Sequence, residues 1–236
     1  WHATIGSRWT ESDKTFVMDT ERPLSFSQQF GDLSESEATP MFSLSWDAND
    51  SSMAYFTYSE GYRDGGYPAR FTGAVPNPLP TYDPEYVKNY ELGYKTTFAN
   101  GRARANLALF QMDYEDMQIS ATSNLPGVGD NTSKANLGSA TISGFELELT
   151  ALVGDNLRLG LNLGVLDDEI DSFKGTLVSS GITLSKSNDL PFTPDYTVAL
   201  TAAYDIPLEN GAGITLRADY SMKDDYYSRT ENIPEV

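Results

Sequence analysis

The strongest constraint on the fold is an alternation of apolar and polar residues with a period of two. Aliphatic side chains occupy every second position between Leu157 and Val165, and polar residues or glycine fill the positions between them. Successive side chains of a β-strand point to opposite faces, whereas a helix would scatter the aliphatic residues around its circumference. This segment is therefore predicted to be a strand with one apolar and one polar face.

The same alternation recurs along the whole chain. It predicts further strands at 1–9, 42–46, 86–98, 141–151, 196–204 and 214–222, with a less regular pattern at 53–62 and 102–118. The total is about nine strands, and the abundance of tyrosine, phenylalanine and glycine suits β-structure. The sequence therefore predicts an all-β, antiparallel fold.

The connections between these strands alternate in length. Short turns rich in Asn, Asp and Gly are predicted at 47–52, 99–101, 153–156 and 207–212, and long polar connections at 11–40, 63–84, 121–138 and 172–193. Transmembrane β-barrels have short turns on one side of the membrane and long loops on the other. The pattern indicates part of a large transmembrane barrel, with aromatic residues near the strand ends forming interfacial girdles.

The amino-acid composition argues against several classes of function. The 34 acidic and 16 basic residues give a net charge of −18, which argues against a nucleic-acid partner because phosphate binding needs basic patches. Cysteine is absent and His2 is the only histidine, so neither a thiol nucleophile nor a histidine metal cluster is expected. We expect no cofactor, no metal site and no catalytic residue. Asp167, Asp168 and Asp171 offer the oxygen ligands that Ca²⁺ favours, but no EF-hand spacing is present and the favoured interpretation is a solvated acidic rim.

Three segments resemble the TonB-dependent receptor family. The first, Tyr55–Arg70, is an aromatic strand that runs into a Gly-Tyr-Arg-Asp-Gly-Gly-Tyr turn. The second, Pro84–Lys95, is similar to the family's Pro-Glu…Glu-x-Gly-x-Lys strand, and the third, Asn136–Glu148, to its Asn-x-Gly…Gly-x-Glu-x-Glu strand. Each motif is short, but the three occur in the family's order and spacing.

The resemblance implies a bacterial outer-membrane importer for a scarce nutrient. The expected ligand is a ferric siderophore or similar compound, and the family also takes up haem, cobalamin and glycans. It implies contact with outer-membrane lipid, and with TonB through an N-terminal plug region. Residues 1–236 are expected to be part of the barrel domain, without the plug.

The turn after the first motif supplies the candidate ligand contacts. Tyr62, Arg63, Tyr67 and Arg70 combine aromatic rings with planar guanidinium groups, which recognise carboxylate or phosphate groups. The glycines between them permit a tight turn. We therefore predict ligand binding by these four residues in an outer loop.

Three other functions fit parts of the sequence. A passive outer-membrane porin would share the alternating strands, and a soluble β-sandwich that binds glycans would share the aromatic residues. A barrel enzyme would need two carboxylates with a perturbed pKa across a cleft. The ordered set of three motifs favours the receptor over all three.

Overall fold

The computed structural model describes residues 1–22, 25–68, 81–125, 129–174, 178–179, 182–230 and 232. All regular secondary structure in these residues is β-strand. None of the described residues forms a helix that is long and apolar enough to cross a membrane.

Thirteen strands follow one another in the described residues. They are β1 (His2–Arg22), β2 (Ser25–Asn49), β3 (Ser52–Arg63), β4 (Glu85–Phe98), β5 (Ala103–Glu115), β6 (Gln118–Leu125), β7 (Gly129–Asn136), β8 (Gly138–Val153), β9 (Leu157–Phe173), β10 (Val178–Ser179), β11 (Ile182–Thr183), β12 (Tyr196–Pro207) and β13 (Gly213–Lys223). Nine form one antiparallel sheet in the order β1-β2-β3-β4-β5-β8-β9-β12-β13, and β6–β7 and β10–β11 are separate hairpins. The predicted nine antiparallel strands are therefore confirmed.

The predicted boundaries of β1, β2 and β5 are wrong. Residues 11–40, expected to be a long connection, continue β1 and β2 as a paired hairpin as far as Arg22 and Ser25. Backbone pairing in this hairpin needs no apolar face. The alternation of apolar and polar residues therefore did not predict these parts of β1 and β2. The single strand predicted at 102–118 is broken at Asp116, whose φ of 53° directs the chain away from β5 and into β6.

The long connections predicted at 121–138 and 172–193 contain strand as well. Hairpin β6–β7 occupies most of the first, whereas β9 extends into the second and β10–β11 lies within it. The four predicted short turns are confirmed, because each joins two adjacent strands of the sheet.

The register gives the sheet two different faces. Leu149 of β8 pairs with Leu161 of β9, which pairs with Leu200 of β12, which pairs with Tyr220 of β13. Leu200 and Tyr220 are 44% and 57% exposed, so this apolar face is open to the surroundings. The opposite face, here called the polar face, carries Glu146 and other residues at the alternate positions.

Buried apolar residues gather on the polar face near the loop end of the sheet. Ala140 and Ile142 of β8 and Ile170 of β9 pack there with residues from the connections: Ile119, Leu137, Leu184 and Leu190. Leu137 and Ile170 have no exposed surface. The connections therefore fold back onto the sheet and fix the geometry of its loop end.

Candidate ligand-contact site at the loop end of the sheet

The chain reverses direction immediately after β3, in a turn built on two glycines. Gly66 and Tyr82 form an isolated antiparallel bridge in which each amide donates to the other's carbonyl at 2.9 Å. Gly65 is buried beside this bridge, and a Cβ atom there would lie 2.6 Å from Tyr82 O. The Gly-Gly pair therefore allows residues 64–68 to pack directly on residues 81–84.

Arg63 and Glu85 form an ion pair at the base of this turn. Arg63 Nη2 donates to Glu85 Oε1 at 2.7 Å and to Oε2 at 2.6 Å. The backbone N–H of Gln118 also donates to Oε2, at 2.6 Å. The Glu85 side chain is 11% exposed, whereas that of Arg63 is 53% exposed. The carboxylate thus anchors the pair, and part of the guanidinium reaches the surface.

The two tyrosines of the turn bind the β1–β2 hairpin. Tyr62 Oη donates to Glu35 Oε2 at 3.0 Å, and Tyr67 Oη donates to the Asp32 carbonyl at 3.2 Å. The Tyr67 ring also stacks on Phe16, with centroids 5.3 Å apart. The hairpin that was expected to be a loop is therefore one wall of the candidate site.

Lys14 links the same hairpin to the turn through its ammonium group. Lys14 Nζ lies 2.9 Å from Asp64 Oδ2 and donates to the Gly65 carbonyl at 2.7 Å. Hydrogen bonding from Lys14, with smaller contributions from Ser12 and Tyr62, outweighs burial and lowers the pKa of Asp64 to about 2. Asp64 is therefore ionised at neutral pH and holds the Lys14 ammonium.

Lys174, at the end of β9, joins two further connections. Its Nζ lies 2.5 Å from Asp83 Oδ2 and 3.1 Å from Asp116 Oδ1. Hydrogen bonding first to Asp83 and then to Asp116 raises the pKa of Lys174 above its usual value. One cation therefore ties the β3–β4 and β5–β6 connections to β9.

The structure brings together three of the four predicted ligand contacts. Tyr62, Arg63 and Tyr67 line the same turn, but each also has an internal partner, so each contributes to the architecture of the site. Arg70 lies outside the described residues. Sequence reasoning assigned no role to Glu85, although it quoted this residue within a family motif.

Two carboxylates of the predicted acidic rim accept hydrogen bonds from other parts of the chain. Asp168 Oδ2 accepts the Leu190 amide at 2.6 Å, and Asp171 Oδ2 accepts the Thr141 hydroxyl at 2.9 Å. Within the described part of the chain, no group of three His, Cys, Asp or Glu residues is placed to hold a metal ion. Asp168 therefore fastens the connection that contains Leu190 to β9, whereas Asp171 links β9 to β8.

An antiparallel sheet with one exposed apolar face, short turns at one end and packed connections at the other defines a segment of a large membrane barrel. The family model "TonB dependent receptor-like, beta-barrel" matches residues 1–235, and the chain belongs to this family. Barrels of this family lie in the bacterial outer membrane.

Individual relatives are similar over part of their length. The ferric-pyoverdine 358 receptor of Pseudomonas putida is 29% identical over 115 residues, which cover 49% of this chain and 13% of that protein. The ferric-pyoverdine M114 receptor PbuA of Pseudomonas sp. strain M114 is 28% identical over 123 residues, covering 52% of this chain and 14% of that protein. The chain therefore aligns with only a small part of these relatives.

A solved structure shows the same fold over almost the whole chain. The ferric yersiniabactin uptake receptor FyuA of Yersinia pestis superimposes with a TM-score of 0.77 at 20% sequence identity. The match covers 98% of this chain and 32% of that one. The chain thus corresponds to about a third of the FyuA chain.

Proposed function

We propose that this chain forms part of the barrel wall and outer loops of a receptor that imports a ferric siderophore across the outer membrane. The observation that carries the proposal is the family match over residues 1–235. The two pyoverdine receptors and the yersiniabactin receptor add support, because each is named for a ferric siderophore.

The role proposed for this part of the receptor is binding, without covalent chemistry. The apolar face contacts outer-membrane lipid, and the polar face lines the barrel interior. TonB engages the receptor through the N-terminal plug region, and nucleic acid is not a partner. The described acidic residues near the turn hold lysine, arginine or tyrosine side chains, an arrangement that supports a structural role rather than enzymatic activity.

The ligand contacts proposed are Tyr62, Arg63, Tyr67 and Arg70. The Arg63–Glu85 contact uses Nη2, which leaves Nε and Nη1 outside that contact. A half-exposed guanidinium held at one nitrogen has a fixed position and can still donate to oxygen atoms of a ligand. Glu85 thus orients Arg63 for a ligand that carries carboxylate or other oxygen groups.

Uptake of radioactive iron tests the proposed function. The intact protein would be expressed in cells that lack their own siderophore receptors, with and without functional TonB, and supplied with ferric pyoverdine or ferric yersiniabactin. Accumulation that requires both the protein and TonB supports the proposal. Uptake that is independent of TonB, together with entry of small sugars, would instead indicate a passive pore.

A matched pair of variants tests the ligand contact. Arg63→Met should weaken binding of the transported ferric siderophore, whereas Lys88→Met should leave it unchanged. Lys88 is a suitable control because its ion pair with Glu115 is exposed on both sides, at 40% and 59%. Equal binding by both variants would show that Arg63 does not contact the ligand.

A further inference from the structure

Two buried amide side chains lie opposite each other at the base of the β6–β7 hairpin. Gln118 pairs with Asn136 in the ladder, and they are 8% and 9% exposed. Their amide groups form hydrogen bonds to the backbone of the β3–β4 connection, and Lys134 of the same hairpin lies 3.5 Å from Gln118 Oε1. Buried polar side chains of this kind are costly unless their hydrogen bonds are made, so their partners define where they can sit.

Gln118 holds both sides of the Gly66–Tyr82 bridge. Its Nε2 atom donates to the Asp64 carbonyl at 2.8 Å and lies 3.2 Å from the Asp83 carbonyl. Asp64 precedes the bridge on one side, and Asp83 follows it on the other. One amide therefore joins the two segments that form the turn after Arg63.

Asn136 holds the second of these segments, residues 81–84, as both a hydrogen-bond donor and an acceptor. Its Oδ1 atom accepts the Asp83 amide at 2.8 Å, and its Nδ2 atom donates to the carbonyls of Asp83 and Asp116 at 2.9 and 2.7 Å. The side-chain amide of Asn136 therefore pairs with both the backbone N–H and the backbone carbonyl of Asp83. This reciprocal pairing permits a single orientation of the 81–84 segment.

We infer that Gln118 and Asn136 are positioning residues that set the place of the Arg63–Tyr67 turn relative to the β6–β7 hairpin. The consequence for ligand binding rests on the proposed function, whereas the positioning itself does not. Both amides contact backbone atoms, so the interaction is independent of the side chains in the turn. Apart from Gly65 and Gly66, where a Cβ atom would collide with Tyr82, the turn can therefore vary in sequence while keeping its place at the loop end.

The neighbouring ion pair contributes less to this positioning. Lys174 also reaches Asp83 and Asp116, but its side chain is 48% exposed and that of Asp83 is 54% exposed. Exposed ion pairs are screened by water and salt and contribute little, whereas buried hydrogen bonds to backbone groups are not screened. Removal of the amides should therefore displace the turn, and removal of Lys174 should not.

Distance measurements between spin labels test the inference in the intact, detergent-solubilised protein. Labels attached to Cys at Thr81 and Ser120 would report on the turn and the hairpin, since both residues are exposed. A second pair at Asp155 and Glu209, on the short turns at the other end of the sheet, would report on the barrel itself. This chain has no cysteine of its own that would compete for the labels.

The test variant combines Gln118→Leu with Asn136→Leu, which removes every amide contact while retaining similar volumes. We expect its 81–120 distance distribution to broaden at least about twofold while the 155–209 distribution stays unchanged. Asn106→Leu is the matched control, because its amide makes one hydrogen bond, to Glu148 at 3.0 Å on the polar face. Lys174→Met should also leave the 81–120 distribution as in the unsubstituted protein.

Three results would overturn the inference. One is an unchanged 81–120 distribution in the double variant, and another is equal broadening in the Lys174→Met variant. The third is broadening of both label pairs, which would indicate general unfolding. If the double variant cannot be recovered, the single Gln118→Leu and Asn136→Leu variants give the same readout with smaller broadening.

A ligand measurement follows only after the distances are known. Ferric pyoverdine, used as the probe, should bind the double variant about tenfold or more weakly than the Asn106→Leu control. If ferric pyoverdine does not bind the unsubstituted protein, that ligand is excluded and the distance result still stands. If the probe binds and the turn moves without loss of affinity, the turn is not a ligand contact.

Discussion

Arg63 Nη2 lies within 2.7 Å of both carboxylate oxygens of Glu85, and the partners differ fivefold in exposure, at 53% and 11%. Among the described residues, removal of Arg63 would leave the buried carboxylate with the Gln118 backbone N–H as its remaining partner. Removal of the carboxylate would leave a cation that water can still solvate. The two halves of the pair are therefore predicted to differ in their tolerance of substitution.

We expect Arg63→Met to destabilise the loop end by about 2 kcal/mol and Glu85→Gln by about 1 kcal/mol, because glutamine retains an acceptor for the Gln118 amide. Hydrogen exchange of peptides that contain Gln118 measures both effects. Lys88→Met, at an exposed ion pair, should leave the exchange of these peptides unchanged. A larger effect for Glu85→Gln than for Arg63→Met would contradict this account.

Gly138, at the first residue of β8, is predicted to tolerate no side chain. Its φ is 131°, and a Cβ atom would lie 2.2 Å from Ser172 O and 2.8 Å from Ser172 C. Gly138→Ala therefore requires movement of the β9 backbone and should cost about 3 kcal/mol or more. The temperature at which the intact barrel loses its compact migration in detergent gels should fall clearly.

Gly154 provides the control for this substitution. It also has a positive φ, of 60°, but nothing lies within 4 Å of a Cβ atom added there. Gly154→Ala should cost only about 1 kcal/mol of backbone strain. Equal losses for the two variants would show that strain alone, and not the contact with Ser172, sets the requirement at Gly138.

The sheet could be predicted from the sequence because its strands have one apolar and one polar face, which gives an alternation with a period of two. The strand from Leu157 to Val165 shows this alternation throughout and was predicted correctly. The β1–β2 extension, which includes Lys14 and Glu35, has little apolar pattern because it is held by backbone pairing and polar contacts. Its strands could not be recognised by hydrophobic period.

The candidate site could be predicted only in part, for a related reason. Tyr62, Arg63 and Tyr67 are recognisable by their chemistry and by the glycines between them. The residues that hold them come from other connections: Glu35 is 27 positions from Tyr62, and Gln118 is 33 positions from Glu85. Such pairings depend on how the connections fold back, which local spacing does not encode.

The pKa of Asp64 predicts a pH range in which the turn loosens. The pKa is lowered from 3.8 to about 2, so the folded state binds this proton less readily than the unfolded chain. The stabilisation is therefore fully present above about pH 4 and is lost as the pH falls toward 2. A spin label on Cys at Tyr82 should become more mobile over this range, and in Lys14→Met this transition should shift upward toward pH 4.

The two faces of β9 are predicted to differ in their tolerance of a positive charge. Leu161 lies in the middle of the apolar alternation and pairs with Leu149 and Leu200, whereas its neighbour Asn162 points to the polar face. Leu161→Arg should destabilise the membrane-embedded barrel by about 2–4 kcal/mol, the cost of a cation near the bilayer midplane. Asn162→Arg should cost less than about 1 kcal/mol, because a lumen-facing cation remains solvated.

Denaturant-dependent folding of the intact protein in lipid vesicles measures both. Equal destabilisation would mean that the apolar face is not in contact with lipid.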